Sequence, residues 1–584
     1  MASKAWIAEK VAPILRKNPN IGAKGLKEKL EEKYTVILSY HTVWAGRPKA
    51  ADQIFGSWED SFEMLYRFKA EVELRSPGSV VEVAVKEVGD EIYFDKFFCC
   101  FKPCIDGFLN GCRPYLSVDS TALNGRWNGH LASAIALDGH NWMFPVAFGF
   151  FDAETTDNWS WFMHQLQKAI GNPPDLAISS DACKGLESAV KKVYPWAEHR
   201  ECFRHLMQNF IKKFQGPVYG NMYPAARAYK ADRFEHYMGI ILEADPTVAN
   251  YLDKWHNLLW MRCRFSEEIK CDYITNNLAE SFNKWVKDIK DLPVCELADT
   301  LRSMIMQLFE KRRRIGERLQ GVILPALVTE LNAMTRGLGH LRVTKGAKNT
   351  AEVTERTVEQ ELLRHVVHLD SHECTCREWQ LSGKPCQHAL ALITTSRNLK
   401  MEDYLHPCYS VRTFKIAYAG VIQPMTDKSQ WPIVDLGFKV LPPLSKRSAG
   451  RQRKQRILGC LEKGKSRGKG AWQVKCTRCG GMGHRKTSPK CPYNGTKKRK
   501  NQSKKMQPGR KTGAAESSAT TPKRQKLAMP QATSSSPGPV TRRQLALSLS
   551  GEGPIQLLAT PSRVTKSPAK TTAKKKLTPR KGKK

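Results

Sequence analysis

The sequence predicts an α/β fold, and three observations predict it. Residues 115–119, 131–137 and 145–151 are short β-rich runs in close succession. Residues 158–170 then set Trp159, Trp161, Phe162, Leu166 and Ile170 at helical spacing, before a fourth apolar run at 176–180 and a helical stretch at 184–193. Acids close the first and fourth runs, at Asp119 and Asp181.

Three strands, a helix, a strand and a helix, with acids at those two ends, is the order of a ribonuclease-H-like fold. Residues 96–310 form this core, with residues 206–270 as a helical insertion and a returning helix that bears Asn276, Glu280 and Asn283. Ahead of it, residues 1–95 are mainly helical. Trp6, Ile7, Val11, Ile14 and Leu15 begin one of two short helices within 5–47, and Ile21 begins the other. A third helical stretch, 57–76, ends at Ser76-Pro-Gly-Ser79. From Val80 the rhythm turns to period two, over 81–85 and 91–94. Residues 311–360 read as a helical linker, 361–400 as a compact Cys/His module, 401–445 as an extension and 446–584 as a tail. No internal repeat is visible.

At 584 residues the chain is long enough for two or three domains. The first ten residues carry charges where a signal peptide needs an apolar run, and the longest apolar runs, such as 144–151, are too short to span a bilayer. The expectation is an intracellular chain without a membrane. Its 17 cysteines then serve as thiols or metal ligands, with Cys99, Cys100 and Cys263 as buried apolar fillers.

Charge is distributed unevenly. Residues 446–584 hold 38 Lys+Arg against 3 Asp+Glu, a net of +35, which leaves only +3 of the chain's +38 for residues 1–445. The tail is rich in Ser, Thr, Pro and Gly and is expected to be disordered. Such a polycation binds DNA through counterion release, without sequence preference. Lys497-Lys-Arg-Lys500 with Lys504-Lys505 reads as an import signal, so the expected compartment is the nucleus. Self-association is left open.

Two clusters have metal-ligand spacing. Cys374-Thr-Cys376 is followed, after nine intervening residues, by Cys386-Gln-His388, four ligands suited to one tetrahedral Zn²⁺. A strand at 366–369, a turn at 383–385 and a helix start at 389–393 would present them. With Trp379 and Pro385 in place, the pattern closely resembles the SWIM zinc finger of plant Mutator-like transposases and their derived regulators. Cys476, Cys479, His484 and Cys491, within residues 474–493, resemble a CCHC zinc knuckle. Six residues precede the last cysteine where the ordinary knuckle has four. Knuckles bind single-stranded nucleic acid by stacking, for which Trp472, Met482 and Tyr493 are at hand; a zinc-stapled turn is the plainer alternative.

The acids suggest phosphoryl-transfer chemistry, which two Mg²⁺ or Mn²⁺ ions support by activating a nucleophile and stabilising the leaving oxygen. Asp119 would bridge both ions, and Asp181 and Glu280 would each complete one. The surrounding motifs look like the core of a Mutator-like element transposase over roughly residues 5–400: Gly111-Cys-Arg-Pro114, Asp119-Ser-Thr121, Gly125 with Gly129-His130, Pro145-Val-Ala147, and Glu154 before Asn158-Trp159. So do Ser180-Asp181 with Gly185-Leu186, Cys202-Phe-Arg-His205-Leu206, and Thr275-Asn276 with Ala279-Glu280-Ser-x-Asn283. The resemblance implies a DDE transposase with Asp119, Asp181 and Glu280 as catalytic acids, and a structural role for Cys202 and His205. Relatives often carry a DNA-binding finger ahead of the first helices; this chain begins about where it would end, which puts recognition of element ends in doubt. The expected activities are DNA cleavage and strand transfer; the alternatives are a catalytically silent DNA-binding regulator or an RNA- or protein-binding zinc protein.

Overall fold

The computed structural model describes residues 3–17, 21–124, 126–356 and 362–444. The knuckle residues Cys476, Cys479, His484 and Cys491 and the basic tail lie outside the described residues.

The fold is α/β. Three helices open it, α1 (Lys4–Lys17), α2 (Ala23–Tyr34) and α3 (Tyr40–Phe55), where the sequence suggested two. They bury Ile7, Val11, Leu15, Leu26, Leu30 and Val43 in a core of their own. Helix α4 (Asp60–Arg75) leads into an antiparallel hairpin, β1 (Val80–Val88) and β2 (Glu91–Cys100). Then come α5 (Lys102–Gly111), β3 (Arg113–Ala122), β4 (His130–Leu137), β5 (Met143–Phe151), α6 (Thr156–Ile170), β6 (Ala177–Ser180), α7 (Lys184–Val193) and β7 (Glu198–Glu201).

These seven strands make one sheet in the order β1-β2-β5-β4-β3-β6-β7. Pairing is antiparallel from β1 to β3 and parallel from β3 through β6 to β7. Every residue of β5 is buried, as expected of a strand covered on both faces. Thr155 caps α6, its Oγ1 accepting from Asn158 N at 3.2 Å.

The insertion supplies α8 (Phe203–Phe210), α9 (Pro217–Arg227), α10 (Ala231–Ala244) and α11 (Thr247–Trp255), which close a second core around Phe203, Phe210, Met222 and Trp260. Helices α12 (Asn277–Trp285), α13 (Val294–Arg318) and α14 (Pro325–Thr335) follow. Beyond them the expected helical linker turns into strands. β8 (Arg342–Ala347) and β9 (Thr350–Arg356) pair with β10 (Leu362–His368) and β11 (Glu373–Cys374) in an antiparallel sheet, onto which α15 (Glu378–Ser382) and α16 (Gln387–Thr394) fold.

The chain then returns to the core. Helix α17 (Val411–Ala417) lies on α5 where Gly107 and Gly111 leave room; a Cβ on either would run into Ala417. Tyr418 donates to Asp138 Oδ2 at 2.8 Å, beside buried Arg312. Strand β12 (Val440–Leu441) adds in parallel to β2. No helix among the described residues is long and apolar enough to cross a membrane.

Candidate functional site

The acids are positioned by strand register. Ser117 on β3 pairs with Ser179 on parallel β6, so Asp119 and Asp181 stand two residues further along neighbouring chains. Asp119 is buried; its Oδ1 accepts from Ser120 N at 2.8 Å and its Oδ2 from Asn283 Nδ2 at 2.9 Å. Helix α12 is fastened to the same strand. Fully buried Asn276 donates to Val118 O at 3.0 Å and accepts from Ser117 Oγ, while Ala279 N donates to Ser117 Oγ at 3.1 Å. That anchorage carries Glu280 to the acids. One Glu280 oxygen accepts from Arg204; the other, Oε1, is buried without a partner.

A fourth acid joins them. Glu154, after β5, accepts from Ser120 Oγ at 2.8 Å, and its other oxygen lies 3.9 Å from His130 Nδ1. Gly185 lets α7 start against this loop, because a Cβ there would meet Glu154 O at 2.9 Å. Burial first, and then the charge of Asp181, push the Asp119 carboxyl well above the usual range. Asp181 is also raised, chiefly by burial, with Glu154 adding to the effect and His205 opposing it. A site where like charges raise one another's pKa is one that a cation relieves. The buried, unpartnered Glu280 Oε1 fits such an ion too. Asp119, Asp181 and Glu280 are the residues that would hold it.

The triad is nonetheless looser than the finger. Among the described residues, three or more Cys, His or acidic ligand atoms come within 4.8 Å of one another in two groups, both in the finger. Cys202 works as an acceptor, its Sγ taking the Asn276 N–H at 3.2 Å, and among the described residues it and His205 belong to no group of three or more such ligands.

The finger brings Cys374, Cys376, Cys386 and His388 together. Cys374 ends the short β11, and Gly383, at φ +71°, turns the chain back so that Cys386 caps α16. His388 Nδ1 lies 3.7 Å from Cys374 Sγ and 3.8 Å from Cys386 Sγ. Zinc bonds of about 2.3 Å to sulfur and about 2.0 Å to nitrogen imply tetrahedral edges of about 3.5 Å, so the donor set fits Zn²⁺. The four groups interact strongly: the neighbouring Cys374 and Cys386 groups hold the Cys376 thiol far down, Cys376 raises the Cys374 thiol, burial raises Cys386, and His388, although burial opposes its charge, is raised to about 12 by Cys374, Cys376 and Glu355. Zn²⁺ would displace the protons these groups share, because its ligands are thiolates and a neutral imidazole.

Behind the histidine stands an acid that sequence reasoning missed. Glu355 Oε2 lies 3.6 Å from His388 Nε2, and its Oε1 is 3.2 Å from His365 Nε2; the two imidazoles stack at 4.0 Å. Its signal was the β9 alternation: Ala351 and Val353 point inward, and Glu355 extends that face. The finger is also tied to the core. Arg377 pairs with Glu267 at 2.7 Å, Tyr409 donates to Ser382 O at 2.7 Å, and Leu381 is part of the insertion's core.

Comparison with known proteins matches two segments of the chain, and Glu280 lies beyond the first of them. Residues 115–209 match the MULE transposase domain family and residues 365–396 match the SWIM zinc finger. Asp119 and Asp181 fall in the first match, and all four finger ligands fall in the second. The chain thus carries a transposase-derived domain followed by a zinc finger. Both matches are consistent with a Mutator-like transposase-family protein.

Two relatives illustrate the spread. A 99-residue stretch, 17% of the chain, is 25% identical to Protein FAR1-RELATED SEQUENCE 6 of Arabidopsis thaliana and covers 14% of it. A 100-residue stretch, 16% of the chain, is 30% identical to the PKS-NRPS hybrid synthetase cheA of Chaetomium globosum and covers 2% of it.

Proposed function

We propose that the chain is a nuclear DNA-acting protein whose ribonuclease-H-like core cleaves and joins DNA with divalent metal. The observation that carries this reading is the register of β3 and β6, which sets Asp119 beside Asp181 while Asn276 and Asn283 fasten the Glu280 helix to the same strand. The strand order and the change from antiparallel to parallel pairing support the core type. When bound, Mg²⁺ or Mn²⁺ would activate the nucleophile and stabilise the leaving oxygen. The protein's part is to hold the three carboxylates, with Asn283 orienting Asp119. The basic tail holds DNA without sequence preference, and the knuckle is a candidate for a second zinc and for single-stranded bases.

The test is nicking of supercoiled plasmid in Mn²⁺ by the wild type beside Asp119→Asn, Asp181→Asn and Glu280→Gln. Loss of nicking in all three supports the reading, and undiminished nicking in them removes it. Deleting residues 494–584 should flatten the salt dependence of DNA binding and reduce nuclear retention; an unchanged slope would discard the role of the tail.

One observation favours the second reading, a silent DNA-binding regulator. Arg204 already engages Glu280. If neither the wild type nor Arg204→Ala nicks a plasmid that it still binds, the regulator is the better description. Nicking that rises in Arg204→Ala would make the arginine a restraint on a live centre.

A further inference from the structure

We propose that residues 4–55 form a helix-turn-helix module that reads duplex DNA with the first turns of α3. This rests on the reading that the chain acts on DNA. The three helices pack on a shared core, and α1 crosses α3 closely at Gly46, where a Cβ would lie 2.5 Å from Ile7 Cγ2. Five residues connect α2 to α3. Thr35, at φ +53° and ψ +43°, ends α2 in the left-handed region, and Ser39 begins α3. Leu38 and Val43 flank the first turn of α3 and are both buried, a pairing that fixes the angle at which a helix is entered. Leu38 N donates to Glu31 Oε1 at 2.8 Å, tying the turn back to α2. Two short helices held by a pinned turn are the unit whose second helix enters the major groove.

Val43, Gly46 and Ala50 occupy the inward face of α3. The outward face of its first two turns carries Tyr40, His41 and Trp44. Tyr40 and Trp44 are each 53% exposed, and the His41 and Trp44 rings lie 5.7 Å apart. Rings gathered on one short helical face mark a surface that something covers.

Charge indicates what covers it. Residues 1–55 hold 10 Lys+Arg against 5 Asp+Glu, a net of +5, whereas residues 56–445 sum to −2. Helix α2, which would lie across the backbone, carries four lysines against three glutamates, with no glutamate in its first turn; its Lys24 side chain is 85% exposed, at 3.9 Å from Glu28. Lys29 and Lys33 are exposed on the same helix. Lysines on α2 would set position against phosphates, and the α3 rings would discriminate at the groove. Arg47 is occupied otherwise: it pairs with Asp291 at 2.9 Å and so fixes the module to the core.

The test selects from random duplexes with the full chain at about 0.3 M salt, where non-specific binding by the tail is weakened. The wild type is compared with a His41→Ala/Trp44→Ala double variant and with Lys24→Glu, using zinc content and melting temperature as folding controls. The expected result is a short enriched motif for the wild type. The double variant should lose that preference by about tenfold or more. A wild type that binds any duplex at low salt but enriches no motif overturns the proposal and leaves the DNA reading standing. So does a motif that the double variant retains, or a change of oligomeric state in place of a change in selection. A wild type that binds no duplex at any salt overturns the DNA reading and this proposal with it.

Discussion

Asn283 donates to Asp119 Oδ2 at 2.9 Å, and this one bond ties a carboxylate on β3 to the helix that carries Glu280. Together with the Asn276 and Ala279 bonds to β3, it joins strand and helix in one acidic cluster. Replacing Asn283 with Ala should free the carboxylate without unfolding the chain. Outer partners of this kind typically account for 10–100-fold in metal affinity or activity. Mn²⁺-dependent nicking should fall by about that factor at an unchanged melting temperature; equal rates would show that Asn283 does not orient the acid.

The finger separates ligand from support. Cys386→Ser should lower zinc content by one equivalent and unfold the local hairpin, because binding energy at such a site is largely folding energy. Glu355→Gln should keep the zinc count but weaken the hold, with transfer to a chelator about 10–100-fold faster. Identical transfer rates would leave Glu355 as a surface acid.

Acid stability should depend on His199. Burial lowers its pKa to about 4, and its Nε2 lies 2.7 Å from Ser180 Oγ beside the acidic site. Unfolded histidine titrates near 6.5, so between about 6.5 and 4 the unfolded chain binds a proton that the native chain refuses. Stability therefore falls as pH drops through that window, by up to about 3 kcal/mol from this group. Urea unfolding at pH 7 and pH 5 should show a smaller loss in His199→Gln than in the wild type; equal losses would assign the acid sensitivity elsewhere.

Gly107→Ala should undock α17. The added Cβ meets backbone, which cannot swing aside as a side chain can. Overpacking of this sort costs about 1–3 kcal/mol. The melting temperature should fall, and protease should cut first near residues 405–420. An unshifted melt would mean that α5 and α17 separate at little cost.

The core was legible because its signals are local. Alternation at 115–119 and 131–137 and the helical spacing at 158–170 needed no distant partner, and neither did the paired cysteines. What was missed depends on tertiary contacts. Helix α3 was not recognised as a separate helix, since Gly46 and exposed Trp44 blur its apolar stripe until α1 is seen packed against it. Strands β8 and β9 resemble helical linker in the sequence because outward residues such as Lys345 and Glu352 dilute a period-two pattern that only β10 completes. Arg204 and Glu355 are a base and an acid among many until the fold sets them beside Glu280 and His388, and Glu154, a motif residue in the sequence, gains its place in the site only from its contact with Ser120.

The finger sits between two segments that are themselves held, α14 before it and α17 after it, with Leu381 sunk into the insertion. Losing its metal would not leave an appendage hanging from an intact body. It would open a long internal loop whose two ends stay clamped, and opened loops are where degradation begins. Chelation should then speed the decay of the full-length chain as much as it unfolds the finger. On that account a cell's zinc supply governs the lifetime of the whole protein, core included.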